Sequence, residues 1–171
     1  KDEWKRRYHL VITAQNREGL GNLFTLIKRA YTEGFYRYPR IDFDMLKQHG
    51  KGLNVSTACL GGIYSNRIMR GNALKKSDSE IQAELMQLSD RFVDAVGEEN
   101  FYLEIQFNRL KQQHLVNHHL LRHAEMTGID LVATPDSHYY NPNKWEAREL
   151  YKKLGWMGND PSPLPEFEDL K

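Results

Sequence analysis

The stretch FYLEIQFNRLKQQHLVNHHLLRHAEMTGIDLVAT (residues 101–134) decides the fold class. It opens with FYLEIQ and closes with DLVAT (residues 130–134), two short apolar runs of strand length. Between them, residues 110–126 carry apolar side chains at helical spacing, and Gly128 marks the end of that helix. A strand, a helix and a second strand in this order are typical of a parallel sheet with a crossover helix.

The residues nearest the amino terminus repeat the same pattern. YHLVITA (residues 8–14) predicts a strand, and a helix follows that is capped by Asn16 and stopped by Gly34. GFYRYPRIDFDML (residues 34–46) then reads as a loop rich in aromatic residues and arginine, with a short helix over 43–49. Residues 8–49 therefore predict one strand followed by two helices.

The middle of the chain continues the alternation. LNVSTA (residues 53–58) predicts a strand that runs into Cys59-Leu60-Gly61-Gly62, where the glycines permit a sharp turn. Ser77 or Asp78 is expected to cap the next helix, which has one apolar stripe and ends near Gly97. The strand FYLEIQ follows directly.

The whole pattern predicts an α/β protein with about four β-α units in a parallel sheet. A last helix is expected after the Asn141-Pro142 turn. A closed (β/α) barrel needs about 250 residues, so four units correspond to roughly half of one. We expect residues 1–157 to form a partial domain and residues 158–171, which are rich in proline and acidic side chains, to be a linker or extended tail.

Composition narrows the class of protein. The 171 residues are 40% hydrophobic and 27% charged, which is ordinary for a globular protein, and the net charge of +1 excludes a uniformly basic nucleic-acid-binding chain. A single cysteine excludes an internal disulfide. No apolar run approaches the ~20 residues needed to cross a bilayer, and KDEWKRRY lacks the apolar core of a signal peptide. We expect a cytoplasmic protein without membrane contact and, because the sequence starts with Lys1, a piece of a longer one.

Two strand ends carry candidate metal ligands. Reactive side chains gather at the carboxyl ends of parallel strands, because the loops there share one rim. Cys59 follows LNVSTA, and Asp136 and His138 follow DLVAT. Thiolate, imidazole and carboxylate together suit zinc. The alternatives stay open, since a lone cysteine is often a small buried hydrophobe and an Asp-x-His pair occurs by chance in many proteins.

Two other groups offer rival metal sites. Four histidines recur at helical spacing and form two i, i+4 pairs: His114, His118, His119 and His123. Leucine and valine carry the apolar stripe of that helix, so we expect the histidines to face mainly solvent. Asp42 and Asp44 resemble a paired-carboxylate site, but they follow Pro39 in a loop and are expected to be surface charges.

Several motifs fall in one order along residues 8–150: YHLV (8–11), EGFYRYPRID (33–42), STACLGG (56–62), FYLEIQ (101–106) and LVATPDSHY (131–139). This order and spacing resemble the amino-terminal PHP (polymerase and histidinol phosphatase) domain of bacterial DNA polymerase III alpha subunits. STACLGG and LVATPDSHY are the specific parts of the match. The chain departs from the family pattern at Ile63 and Tyr64, where the family commonly has Glu after Gly62, and at Pro135, where it has Asn or Gly.

The resemblance implies a distorted (β/α)7 barrel whose rim holds about two or three zinc or manganese ions. The family's metal ligands carry over onto four residues: His9, Cys59, Asp136 and His138. His9 stands at the start of its predicted strand, so its assignment rests on the resemblance alone. The family's earlier ligands have no counterpart in these residues, which implies that this chain carries only part of the site.

The resemblance also implies a function. The parent protein would be a replicative DNA polymerase of a bacterium, or of a phage in its bacterial host, which extends DNA from nucleoside triphosphates beside other replisome subunits. A metal cluster activates water for attack on a phosphodiester, which is the chemistry of a proofreading 3′–5′ exonuclease. Arg37 and Arg40 are candidates for phosphate binding, or belong to a loop that packs on the barrel.

Two alternatives accompany this interpretation. The chain could be a stand-alone PHP phosphoesterase that acts on a small phosphate ester, or a non-catalytic structural brace for the polymerase. Half a barrel also exposes strand edges and an apolar inner face, so self-association of the chain is a further expectation.

Overall fold

A computed structural model describes residues 7–135 and 137–155 as a mixed α/β fold with a four-stranded sheet and six α-helices. Short 3₁₀ helices span Glu98–Asn100 and Pro142–Lys144. The strands and helices are, in chain order, β1 Val11–Ala14, α1 Arg17–Thr32, α2 Phe43–His49, β2 Leu53–Ser56, α3 Ile63–Ala73, α4 Asp78–Val96, β3 Phe101–Gln106, α5 Lys111–Thr127, β4 Leu131–Thr134 and α6 Trp145–Gly155. The α/β class predicted from the sequence is confirmed. None of the helices in this described part combines the length and apolar character needed to span a bilayer.

The sheet has the order β1-β2-β3-β4 and is not wholly parallel. β2 and β4 both run parallel to β3, as expected, but β1 runs antiparallel to β2, with Val11 opposite Ser56. The prediction of a parallel sheet is therefore wrong at β1. The connection from β1 to β2 contains two helices and a long loop, which return the chain to the end of β1, where the Gln15 N–H donates to the carbonyl of Gly52 at 2.9 Å.

The helix starts that were predicted from a capping residue are confirmed. Asn16 caps α1, since its side-chain oxygen accepts a hydrogen bond from the Gly19 N–H at 2.9 Å. Ser77 caps α4 and forms a reciprocal capping box with Glu80. The strand predicted over 53–58 is shorter, ending at Ser56, because Ala58 takes a positive φ of 60°.

Helix α3 is absent from the sequence interpretation. No side chain caps it at Gly62. It is held instead by its neighbours, because Tyr64 and Ile68 are completely buried and Gly71 lies so close to Ile81 that a Cβ there would come within 2.6 Å of its side chain. Tertiary packing, rather than local propensity, forms this helix.

An aromatic cluster forms the centre of the core between the helices and the sheet. Phe92 of α4 stacks on Phe101 of β3 with ring centroids 4.7 Å apart, and Phe43 of α2 meets Phe92 edge-on at the same distance. Tyr64 lies 6.0 Å from Phe101. Burying these large rings contributes the hydrophobic stabilisation that orders the sheet.

The four histidines of α5 divide into two pairs. His114 and His118 are exposed, as predicted, but His119 and His123 are buried, so the expectation of a solvent-facing cluster is wrong for them. His123 is accommodated in the core because both ring nitrogens have partners. Its Nε2 lies 2.8 Å from the Ser89 hydroxyl, and its Nδ1 lies 2.8 Å from the Gln82 side-chain oxygen.

Candidate metal centre

The antiparallel pairing of β1 brings His9 to the carboxyl end of β2. Because β1 runs opposite to its neighbour, the residues before β1 lie beside the residues after β2. The His9 N–H donates to the Gly61 carbonyl at 2.9 Å, and His9 forms an isolated bridge with Gly62. The start of one strand and the end of another therefore share one rim of the sheet.

At this rim the imidazole of His9 faces the thiol of Cys59. His9 Nδ1 lies 3.3 Å from Cys59 Sγ, and the Gly61 N–H donates to the same sulfur at 3.4 Å. A Cβ at Gly61 would lie 2.9 Å from His9 Nδ1, so a side chain at this position would crowd the ring. The glycine at this turn thus allows the two side chains to meet.

This pair fits the geometry of a zinc site. Zinc binds nitrogen at about 2.05 Å and sulfur at about 2.3 Å, and a tetrahedral angle then places the two ligand atoms about 3.5 Å apart. The observed separation of 3.3 Å is close to that value. A histidine and a cysteine are also a ligand set that suits zinc.

The pair lines a groove of about 760 Å³. Its walls are largely apolar, and its polar lining includes Arg7, Arg40, Glu104 and Gln106. A concave surface with apolar walls and a few convergent polar groups is typical of a ligand site.

The remaining predicted ligands follow β4. The register pairs Thr134 with Gln106, so β4 ends on the same side of the sheet as β3. His138 is exposed in the segment that follows, while Asp136 lies outside the described residues. Within residues 7–135 and 137–155, no three His, Cys, Asp or Glu side chains converge as a ready metal cluster.

The two arginines singled out from the sequence occupy different positions. Arg37 is exposed and has a positive φ of 60° between Tyr36 and Tyr38, which form an isolated bridge. Arg40 is half-buried and lines the groove, and its Nε donates to the Gly34 carbonyl at 3.3 Å. Arg40 is therefore the better placed of the two to meet a phosphate in the groove.

Glu104 is a polar residue of the groove that the sequence interpretation did not select. It is only 6% exposed, and hydroxyl groups of Ser56 and Thr134 both donate to its carboxylate. The available signal was an acidic residue within an otherwise apolar strand pattern, FYLEIQ. Buried carboxylates of this kind need dedicated hydrogen-bond donors.

Comparison with protein families shows which family contains the residues that line this groove. The model of the PHP domain matches residues 1–108. The chain belongs to the PHP domain family. The match includes the segments of this PHP chain that carry His9, Cys59 and Glu104.

The PHP chain is similar to DNA polymerase III alpha subunits. It is 35% identical over 149 residues to that of Helicobacter pylori strain 26695, and 38% identical over 152 residues to that of Aquifex aeolicus. The subunit of Borreliella burgdorferi is 34% identical over 154 residues. These alignments cover 86%, 88% and 90% of the PHP chain, but only 12%, 12% and 13% of the respective relatives.

Proposed function

We propose that the chain is part of the PHP domain of a replicative DNA polymerase III alpha subunit and supplies part of a metal site with 3′–5′ exonuclease activity. The observation that carries this proposal is the 3.3 Å approach of His9 Nδ1 to Cys59 Sγ in a chain of the PHP family. The three similar proteins described above are named as polymerase subunits, which favours this function over a stand-alone phosphoesterase.

The proposed architecture is a distorted (β/α)7 barrel, of which the four described strands form part. Two parallel strand pairs, with the carboxyl ends of β2, β3 and β4 on one side, support this proposal. We also propose that residues 1–157 belong to the domain and that 158–171 are a linker or tail. Residues 156–171 lie outside the described residues, so this boundary stays a prediction.

The proposed ligands are His9, Cys59, Asp136 and His138, and the proposed ions are zinc or manganese. When bound, such ions polarise a phosphoryl oxygen and lower the pKa of a coordinated water toward about 7. The chain itself holds two donor atoms at one rim through the turn at Gly61. Arg40, on the groove lining, is proposed to bind a phosphate oxygen.

The proposed partners follow from the polymerase. They are DNA, nucleoside triphosphates and other replisome subunits, and the proposed location is the bacterial cytoplasm. These properties belong to the whole protein, whereas this chain matches about an eighth of its relatives' length.

Metal content tests the proposal directly. The protein is produced with its natural flanking sequence, and bound metals are counted by mass spectrometry, with the 171-residue chain measured in parallel. We expect about two or three equivalents of zinc or manganese in the flanked protein. Absence of metal from both forms would remove the assigned roles of His9, Cys59, Asp136 and His138.

Nuclease activity is the second part of the test. Asp136→Asn is expected to abolish 3′–5′ exonuclease activity while polymerase activity is preserved. Asp130→Asn, an exposed carboxylate six residues upstream, is the matched control and should keep both activities. Unchanged nuclease activity in Asp136→Asn would contradict the proposed chemistry.

A structural brace is the second candidate function. One face of α1 is apolar yet exposed, with Phe24 61% and Tyr31 60% accessible, and Tyr31 also lines the groove. Exposed apolar surfaces of this kind are typical of packing faces between modules. The metal measurement separates the two functions, because a brace needs no metal.

A further inference from the structure

A carboxylate is buried within the sheet, next to the groove that contains the proposed ligands. Glu104 is 6% exposed and belongs to β3, the central strand between β2 and β4. A buried carboxylate loses its hydration, so it is retained only where donors replace the water.

Donors from both neighbouring strands replace that water. The hydroxyl of Ser56, the last residue of β2, donates to Glu104 Oε2. The hydroxyl of Thr134, the last residue of β4, donates to Glu104 Oε1 at 2.6 Å. Gln106 Nε2 adds a longer bond to Oε1 at 3.4 Å. One side chain therefore ties together the ends of three adjacent strands.

The backbone of β3 strengthens the same connection. The Glu104 N–H donates to the hydroxyl of Thr57 at 2.8 Å, immediately after the end of β2. Two residues farther along, the chain reaches Cys59. On the other side, Thr134 is two residues before Asp136 and four before His138. The bonds of Glu104 thus end where the segments with the proposed ligands begin.

We propose that Glu104 is a positioning residue for the metal site. Through its bonds to Ser56 and Thr134, it holds the ends of the two strands from which the segments with Cys59 and with Asp136 and His138 continue. This inference rests on the proposed function, since it assumes that these segments bind metal. Both carboxylate oxygens are required as acceptors, one for each hydroxyl. A glutamine keeps one acceptor oxygen and replaces the other by an NH2 group, so one hydroxyl has to turn and accept, and both bonds lose the charge of the carboxylate.

The test compares cobalt binding by wild type and Glu104→Gln in the protein with its natural flanking sequence. Cobalt substitutes for zinc and gives a sulfur-to-cobalt charge-transfer band when a thiolate binds it. The difference spectrum against Cys59→Ala isolates the contribution of this cysteine. We expect cobalt affinity to fall about 10- to 100-fold and the Cys59 band to weaken.

A matched control separates positioning from general loss of stability. Ile81→Val trims a buried side chain of α4, outside the groove lining, and should lower stability while keeping cobalt affinity. Ser56→Ala and Thr134→Val each remove one hydroxyl and should weaken cobalt binding in the same direction. If Glu104→Gln does not fold, the cobalt affinities of these two variants are measured in its place.

The possible results distinguish the positioning role of Glu104 from the proposed metal site on which it depends. Wild-type protein that binds cobalt, with equal affinity in Glu104→Gln, would overturn the positioning role and leave the metal site intact. An equal loss in Ile81→Val would also overturn it, because the effect would be one of stability. Wild-type protein without cobalt binding would overturn the metal site and the positioning role together.

Discussion

His9 Nδ1 lies 3.3 Å from Cys59 Sγ across the antiparallel pair of β1 and β2. The two residues are 50 positions apart in the sequence, and the contact depends on the direction of β1. A parallel β1 would place His9 beside the amino end of β2, at the other end of the strand from Cys59. The direction of one edge strand therefore decides whether these two donors share a site.

Zinc should protect Cys59 from alkylation, because a bound thiolate is no longer a free nucleophile. Cys59 is the only cysteine of the 171-residue sequence, so the rate of iodoacetamide modification reports on it alone. We expect added zinc to slow the reaction and His9→Asn to lower the zinc affinity derived from it by about tenfold or more. His114→Asn changes an exposed imidazole on α5 and should keep the protection. Equal protection in wild type and His9→Asn would contradict a shared site.

The start of α1 should tolerate no side chain at Gly19. A Cβ there would lie 1.8 Å from the carbonyl oxygen of Gly52, which itself has a positive φ of 72°. We expect Gly19→Ala to lower the free energy of unfolding by about 1–3 kcal/mol or more. Gly21→Ala is the matched control, since nothing lies within 4 Å of its Cβ, and it should raise stability by about 0.5–1 kcal/mol. Urea unfolding of both variants checks the pair, and equal effects would refute the close contact.

Local signals explain which parts of the fold were predictable. Asn16 and Ser77 cap helices through bonds to residues three positions away, so a short stretch of sequence contains the whole interaction. The strand Phe101–Gln106 is likewise bounded by its own apolar run. Helix α3 has no side-chain cap and is held by Tyr64 and Ile68 in the core.

Non-local contacts explain what the sequence did not reveal. The direction of β1 depends on how two helices and a loop return the chain, so the strand-end rule could not select His9. Glu104 and His123 are polar residues whose burial is stabilised by partners from other elements, Ser56 and Ser89 among them. A periodicity argument assigns such residues to the surface, because it counts polarity and not partners.

The capping box of α4 should make a measurable contribution to stability. The Ser77 hydroxyl accepts from the Glu80 N–H, which otherwise lacks a partner in the first turn of the helix. We expect Ser77→Ala to cost about 1 kcal/mol in thermal or urea unfolding. Ser77→Thr keeps a hydroxyl that accepts from the Glu80 N–H and donates to the Glu80 carboxylate, and it should preserve most of the stability. A similar loss in both variants would mean that the cap is not the cause.

The buried histidines of α5 should make the fold sensitive to acid. Burial lowers the pKa of His123, and burial, opposed by the nearby Asp78 carboxylate, lowers that of His119. The folded state therefore binds fewer protons than the unfolded state, whose histidines titrate near pH 6.5. Their contribution to stability is complete above that pH and is lost as the pH falls toward the lowered values of the folded state.

The size of this effect follows from proton linkage. Each histidine that takes up a proton only on unfolding contributes up to about 1.4 kcal/mol of stability per pH unit. We expect the free energy of unfolding to fall between about pH 7 and 5, and to fall less steeply in His123→Gln than in wild type. The measured quantity is the slope of the free energy of unfolding against pH, because loss of the Ser89 bond lowers the stability of His123→Gln at every pH. His114→Gln removes an exposed imidazole and should keep the wild-type slope, so an unchanged slope in His123→Gln would show that His123 does not couple folding to pH.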